Sequence, residues 1–296
     1  MKTYDCIIIG SGPGGISAAI YLKRDGVNVC LFEGNVPGGA IVNTEVINNY
    51  PGFSSISGAD LAMNMLNQIS ELNIDVYYEQ AKIEKYNDLY KVNDCSAKYV
   101  IIATGTKVKT LGLESENKFL YHGISWCATC DGFLYKDKDV AVAGGGDSAL
   151  SSAITLSRYA SIVYLIHRRN EFRAKESLVN DVKNTKNIKL VLDSNIVELY
   201  GDKNLEGIKV KNNLKNEISD IKIACLFEEI GRIPNSDVID GLEKDSNGYI
   251  LVNDSFETNI PNIYAIGDVI SKSVRQIVTA TSDGAVAAIA ISRKVK

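Results

Sequence analysis

Apolar residues change period along this chain, and each change marks an element. Residues 4–9 form a nearly unbroken apolar run, as expected of a strand covered on both faces. The run breaks at Gly10, Gly12 and Gly15, after which Ile16, Ala19 and Ile20 take the i, i+3, i+4 spacing of a helix. Gly26 stands where a helix C-cap belongs, and a second apolar run over 27–32 ends at Glu33. The same order returns about half a chain later. A strand over 139–143 meets Gly144, Gly145 and Gly146; Leu150, Ala153 and Ile154 give the helical spacing; a strand over 162–166 ends at His167. Each half also closes alike, 99–103 running into Thr104-Gly105 and 224–230 into Gly231-Arg232. The repeat predicts two related α/β units of nucleotide-binding type. A last strand over 263–266 follows Pro261 and leads into a small-residue helix, TATSDGAVAAIAI. The charged stretch 170–222 reads as a solvated surface of helices and hairpins without assigned function.

Length and composition narrow the function classes. A chain of 296 residues is long enough for two domains. Its hydrophobic fraction of 45% and charged fraction of 23% are those of an ordinary soluble protein. A net charge of −4 argues against a nucleic-acid binder. No apolar run approaches the roughly 18 residues of a membrane span. The apolar start is too short for a signal peptide, which points to a cytoplasmic enzyme with no membrane partner. In that compartment disulfides are expected to be catalytic or absent. Of six cysteines, only Cys127 and Cys130 form a C-x-x-C. With two histidines and no second such pair, the chain lacks the ligands of a zinc site, and no metal is expected.

Four motifs carry the chemistry. Gly10-Ser11-Gly12-Pro13-Gly14-Gly15 is a G-x-G-x-x-G between a strand and a helix, with Glu33 at the end of the next strand. That context makes it a dinucleotide fingerprint: glycines let a pyrophosphate approach the helix N-terminus, and the acid accepts from a ribose. Gly144-Gly145-Gly146-Asp147-Ser148-Ala149 occupies the matching place in the second unit. There the strand ends at His167-Arg168-Arg169, with Arg173 beyond, so guanidinium groups replace the acid. Arginines favour a 2′-phosphate, which reads as an NADP(H) site. Cys127-Ala128-Thr129-Cys130-Asp131-Gly132 precedes that fingerprint. Two thiols so spaced can close a small disulfide ring, and Asp131 is placed to exchange a proton with a leaving thiolate. The strand over 263–266 ends at Gly267-Asp268, with Arg275-Gln276 downstream.

Together these motifs resemble the low-molecular-weight thioredoxin reductases, a family of FAD- and NADPH-dependent disulfide reductases. The likeness spans almost the whole chain and keeps the family's order: GSGPGG; Gly38-Gly39, Thr44, Asn49 and Pro51-Gly52; IIATG; CATCDG; GGGDSA; HRR with FRA; AIGDV with RQ. The resemblance implies an α/β fold of two Rossmann-like, three-layer domains, the NADPH domain being inserted into a discontinuous FAD domain. Residues 1–110 and 236–296 would bind FAD, and 111–235 would bind NADPH and carry the dithiol. It implies that Gly10, Gly12, Pro13, Gly14, Gly15 and Glu33 hold the ADP half of FAD. Thr44 and Asn49 would lie near the flavin, Asp268 would take the ribityl chain, Arg275, Gln276 and Ile277 would line the ring, and Gly39, Thr104, Gly105 and Gly267 would also belong to the cofactor site. Gly145, Gly146, Asp147, Ser148, His167, Arg168, Arg169 and Arg173 would bind NADPH. Cys130 would face the flavin, Cys127 would attack the substrate disulfide, and Asp131 would be the acid–base group. Hinges near 106–110 and 232–237 and a homodimer are implied too, with thioredoxin as partner.

The chain departs from the family's pattern in three places. Leu150-Ser151-Ser152-Ala153 stands where acids usually follow GGGDSA, and the first of those acids helps seat the nicotinamide. Ala40 follows Gly38-Gly39 in place of glutamine, and no arginine stands just before the redox motif. Two alternatives therefore stay open. One is a flavin-dependent disulfide reductase with another donor, such as reduced ferredoxin, or another protein partner. The other is a non-catalytic flavoprotein serving as redox sensor or electron carrier.

Overall fold

The computed structural model describes residues 1–44 and 46–295. The chain folds into two compact units, Met1–Lys107 with Ile233–Lys296, and Val108–Arg232.

The first unit opens with β1 (Lys2–Ile9), α1 (Pro13–Arg24) and β2 (Val29–Phe32). A 3-10 turn, Gly39–Asn43, precedes α2 (Gly58–Glu71) and β3 (Asp75–Tyr77); β4 (Ile83–Tyr86), β5 (Leu89–Val92) and β6 (Cys95–Ile102) follow. Strand β2 begins later than the sequence suggests, because Val27 is held by the end of α1. Its N–H bonds the carbonyl of Leu22 while that of Gly26 bonds Lys23, closing the helix as a Schellman motif. Side chains of β1 alternate between two cores: Cys6 and Ile8 face one, Ile7 and Ile9 the other. Being buried on both faces is why the strand reads as a continuous apolar run.

The chain leaves this unit through β7 (Thr106–Val108). The second unit contains α3 (Glu116–Phe119), β8 (Ile124–Ser125), α4 (Ala128–Asp131), β9 (Val140–Ala143), α5 (Asp147–Leu156) and β10 (Val163–Ile166). It continues with α6 (Glu176–Asn184), β11 (Ile188–Val191), β12 (Ser194–Tyr200), β13 (Gly207–Asn212), β14 (Ile218–Lys222) and β15 (Cys225–Glu228). Its main sheet runs β11-β10-β9-β15-β8 and every pairing is parallel. Helices α5 and α6 cover one face and the antiparallel sheet β12-β13-β14 the other. The stretch 170–222 is thus more than a solvated surface. Val182 fills the helical side of the core, and Ile196, Leu199, Ile208 and Val210 fill the other. These strands bury alternate residues only, so their charged outward positions hide the pattern.

The chain returns through β16 (Arg232–Pro234), which pairs with β7, and ends with β17 (Ile263–Ala265) and α7 (Ile277–Val295). The seven-stranded sheet of the first unit orders as β3-β2-β1-β6-β5-β4. Strand β6 has two neighbours on one side: β5 beside residues 95–97 and β17 beside 100–102. Helices α1 and α7 meet closely because Gly284 lets the carbonyl of Gly14 approach to 2.3 Å of where a Cβ would stand. Among the described residues no helix is long and apolar enough to cross a membrane.

Candidate active site

Both glycine turns sit at the C-terminal end of a parallel strand, the position at which doubly wound sheets bind ligands. At the first, Gly10 has φ +108°, and a Cβ there would lie 2.3 Å from the carbonyl oxygen of Ala103. Gly12 is the N-cap of α1 and has no side-chain cap bond, with Pro13 leading the helix. The first N–H groups of α1 are therefore available for an anion. Glu33 is buried at the end of β2. Its carboxylate accepts from Ser11 N–H (2.8 Å), Ser11 Oγ (2.7 Å) and Asn35 N–H (2.8 Å), so it also fixes the turn. Gly39 lies against this turn, where a Cβ would stand 2.9 Å from Gly12 Cα.

The expected flavin-lining residues gather in the same unit. Asn49 Nδ2 donates to Gln276 Oε1 at 3.2 Å, joining two residues 227 positions apart. Thr44 closes the 3-10 turn through its own N–H and accepts from Gly58 N–H at 2.8 Å. Asp268 is half-buried in the turn Gly267–Val269, and Ile277 begins α7. Arg275 binds the carbonyls of Asp268, Ile270 and Lys272 and lies 4.0 Å from the centre of the Tyr249 ring. Its guanidinium thus staples its own loop. Thr104 Oγ1 bonds the carbonyl of Asn235 at 2.6 Å, and Asn235 N–H bonds that of Gly105 at 3.0 Å. The spacing rules do not find Asp283, yet it holds Gly267 N–H at 3.0 Å and the Lys272 ammonium at 2.6 Å. It lies inside a run of small helical residues, where one acid gives no periodic signal.

The second turn is built alike. Gly144 keeps clear of the Glu229 carbonyl, 2.5 Å from where a Cβ would be. Gly146 caps α5 without a side-chain bond, and Ser148 is exposed in the first turn. A Cβ on Gly145 would enter the His167 ring at 2.2 Å, so only glycine lets this imidazole lie over the turn. His167 Nε2 is 3.1 Å from the Glu171 carbonyl, and its ring stacks on Phe172 at 5.5 Å. Burial, then the neighbouring Arg168, Arg169 and Arg173, push its pKa below the ordinary value and keep the ring neutral at neutral pH. Arg173 N–H bonds the Gly145 carbonyl at 2.8 Å, and Lys175 N–H bonds Asp147 Oδ1 at 2.9 Å. These bonds pin the arginine segment to the glycine turn. A cleft of about 500 Å³ opens beside it, lined by Arg168, Arg169 and Arg173 with Phe172, Asp193 and Asn213.

In the same unit, Cys127 and Cys130 form a disulfide with their Cα atoms 5.2 Å apart. Cys127 is the N-cap of the short helix α4, and its Sγ accepts from Cys130 N–H at 3.2 Å. Gly132 continues the helix against α5, where a Cβ would meet Leu156 at 2.9 Å. Ser125, a residue the motif does not single out, organises the site. It is buried, accepts from Cys127 N–H at 3.1 Å and donates to Asp131 Oδ2 at 2.6 Å. Both cysteines and Asp131 are half-buried, while Phe133 and Leu134 beside them are exposed. The other four cysteines are buried free thiols. Burial pushes those of Cys6, Cys30 and Cys225 well up, away from thiolate chemistry.

A fold with two anion-ready glycine turns and one accessible disulfide matches known proteins over its whole length. The family model described as pyridine nucleotide-disulphide oxidoreductase matches residues 4–284. The chain is 43% identical over 296 residues to thioredoxin reductase of Mycoplasma genitalium, covering 97% of this chain and 94% of the relative. The chain belongs to the thioredoxin reductases of this family. Like them it is a disulfide oxidoreductase. Its structure is similar to that of thioredoxin reductase from Streptococcus pyogenes, at a TM-score of 0.92 and 38% identity, covering 99% of this chain and 98% of the other. It is also similar to a ferredoxin-flavin thioredoxin reductase from Clostridium acetobutylicum, at a TM-score of 0.52 and 31% identity, covering 100% and 99%.

Proposed function

We propose that this thioredoxin reductase passes electrons from NADPH through FAD to the Cys127–Cys130 disulfide, and from there to the disulfide of thioredoxin. The observation that carries the proposal is the disulfide itself, held on α4 against the helix that leaves the second glycine turn. The first turn suits FAD: an uncapped helix start, glycines that admit a pyrophosphate, a buried Glu33 and the Asn49–Gln276 pair. Bound there, the flavin would supply a two-electron acceptor and donor. The second turn suits NADPH, with Arg168, Arg169 and Arg173 around a cleft and no acid at the end of β10. Residues 1–107 and 233–296 then form the FAD domain, and 108–232 the NADPH and dithiol domain.

The protein residues divide the disulfide exchange. Reduction of the pair by two electrons, with uptake of two protons, yields two thiols, and Cys127 gives up its proton to react as the thiolate. The Cys127 thiolate, favoured by the N–H of Cys130, attacks a sulfur of the thioredoxin disulfide and one thioredoxin thiol leaves. Cys130 then attacks Cys127 Sγ, releasing the second thiol and re-forming the Cys127–Cys130 bond. Asp131, oriented by Ser125, holds the proton that the departing thiolate takes up. The disulfide and the flavin-lining residues belong to different units, so the cycle needs the units to present the flavin to the dithiol and to the nicotinamide in turn. The two chain crossings serve as hinges. The family resemblance extends the proposal to a homodimer in the cytoplasm.

Anaerobic titration tests the donor. Stoichiometric NADPH is expected to bleach the flavin, and continued NADPH oxidation is expected to require oxidised thioredoxin. A second reading replaces NADPH by reduced ferredoxin. It is favoured by Ser151 and Ser152 on α5 and by the likeness to the ferredoxin-linked enzyme. A flavin that NADPH leaves yellow and reduced ferredoxin bleaches would establish that reading and refute the first.

A further inference from the structure

The redox motif is preceded by the chain's one tryptophan, and that indole is tied to a buried carboxyl pair that the disulfide exchange does not use. Strands β8 and β15 run parallel with Phe227 opposite Ser125, so Glu228 comes level with Trp126. Trp126 Nε1 donates to Glu228 Oε2 at 3.0 Å. Glu228 is 3% exposed and Glu116, on α3, is 4% exposed. Both Glu116 oxygens accept backbone N–H groups, from Leu111 and Leu113, each at 2.6 Å. Glu228 Oε1 is fully buried and has no donor directed at it. The neighbouring carboxyl that acts on Glu228 is that of Glu116.

Two ionised carboxylates can only accept, so they cannot bond each other. One proton shared by the pair turns a Glu228 oxygen into a donor, which suits a carboxyl that is buried with Oε1 unpartnered. Burial and then Glu116 both favour the protonated form, and the Trp126 bond opposes them less strongly; together they raise the group to about 8. The groups facing Glu228 are Glu116 from α3 and the indole from the segment after β8. The indole itself meets Tyr121 edge-on at 5.9 Å, and burial raises that phenol, so it stays neutral through the same range. On the far side of the motif, Asp131 is held by Ser125.

We propose that Glu228 is a positioning residue of the redox motif: it carries a proton that it donates to Glu116, while its other oxygen fixes the Trp126 indole and with it the residue before Cys127. This rests on Cys127–Cys130 being the reactive disulfide. Loss of the proton puts two negative charges in one buried site. Their repulsion is relieved only by moving Glu228 or Glu116, which releases the indole and loosens the backbone entering Cys127.

The test begins with oxidised holoenzyme, in which neither motif cysteine can titrate. With ¹⁵N-labelled tryptophan the protein gives one indole N–H resonance, that of Trp126. Recorded from about pH 6 to about pH 9.5, it is expected to shift with a one-proton midpoint close to 8. Glu228→Gln, which keeps both hydrogen bonds, is expected to abolish the transition, and Glu116→Gln to move it to lower pH. Pre-reduced enzyme is then mixed with oxidised thioredoxin across the same range. The wild-type rate is expected to fall above the indole midpoint relative to Glu228→Gln, which holds its rate. A flat indole signal in the wild type, or an equal transition in Glu228→Gln, overturns the proposal. Equal pH–rate profiles in the two proteins overturn the positioning role. Wild type that shows the indole transition but reduces no protein disulfide at any pH overturns instead the reading of the disulfide on which that role depends.

Discussion

Ser125→Ala isolates what holds the redox motif together. The serine hydroxyl is the one group that both accepts from Cys127 N–H, at 3.1 Å, and donates to Asp131 Oδ2, at 2.6 Å. The substitution removes three heavy-atom-scale features at once: a hydrogen bond to a carboxylate, the acceptor of a backbone N–H, and one small volume. The first is worth about 1.5–3 kcal/mol. The second leaves an N–H at a half-buried residue that water can partly reach, so it adds about 1 kcal/mol. The expected loss is therefore roughly 2–4 kcal/mol, or roughly 6–15 °C in the melting of a unit this size. Trp126 is the only tryptophan and adjoins the motif, so its fluorescence reports unfolding of the right unit. The kinetic consequence is separate. If about 1.4 kcal/mol of Asp131 alignment is lost in proton transfer, turnover with thioredoxin falls about tenfold. Flavin reduction by NADPH is expected to stay unchanged, because the glycine turns are untouched. A variant that melts within a degree of wild type and turns over equally well would refute the view that Ser125 organises the motif.

Three further outcomes follow from the same structure. Arg169→Ala is expected to weaken NADPH binding by about tenfold or more while leaving NADH binding alone, since each charge-assisted bond to a phosphate is worth about 1.5–3 kcal/mol; calorimetry on both nucleotides checks it. Asp283→Ala leaves the Lys272 ammonium, 14% exposed, without its partner and frees Gly267 N–H, so a loss of about 3–5 kcal/mol and poorer flavin retention are expected; thermal melts and the flavin-to-protein absorbance ratio measure them. Glu228 is raised to about 8, so between the unfolded carboxyl value near about 4.3 and that point the folded state binds the extra proton. Stability should then fall as pH rises through that window, by up to about 1.4 kcal/mol per pH unit, and Glu228→Gln should melt with a flatter pH dependence; parallel melts across the window decide it.

The repeated strand–glycine–helix–strand pattern makes both α/β units legible, because parallel strands buried on both faces leave continuous apolar runs. The same burial rule explains what was hidden. Strands β12–β14 cover only one face of the sheet, and their charged outward residues concealed a layer that fills half a core. Cys127 and Cys130 announce themselves through spacing. Ser125 does not, since a serine two residues before a motif is no signal until β8 and α4 bring it under the disulfide. Asp283 and the Glu116–Glu228 pair were equally silent. Each acts through partners distant in sequence, and an acid inside an apolar or small-residue run has no periodicity of its own. The family likeness assigns Asn49 and Gln276 to one site from distant parts of the chain, and the fold joins them by a hydrogen bond.

Trapping the covalent exchange intermediate addresses the central claim most directly. Reduced Cys130→Ser and Cys127→Ser enzymes are each mixed with oxidised thioredoxin and analysed by intact mass under non-reducing conditions. The asymmetric roles proposed for the pair predict that Cys130→Ser accumulates a one-to-one adduct joined through Cys127, sensitive to dithiothreitol, while Cys127→Ser forms none. An adduct through Cys130 alone, or none with either variant when wild-type enzyme reduces thioredoxin, would contradict the account.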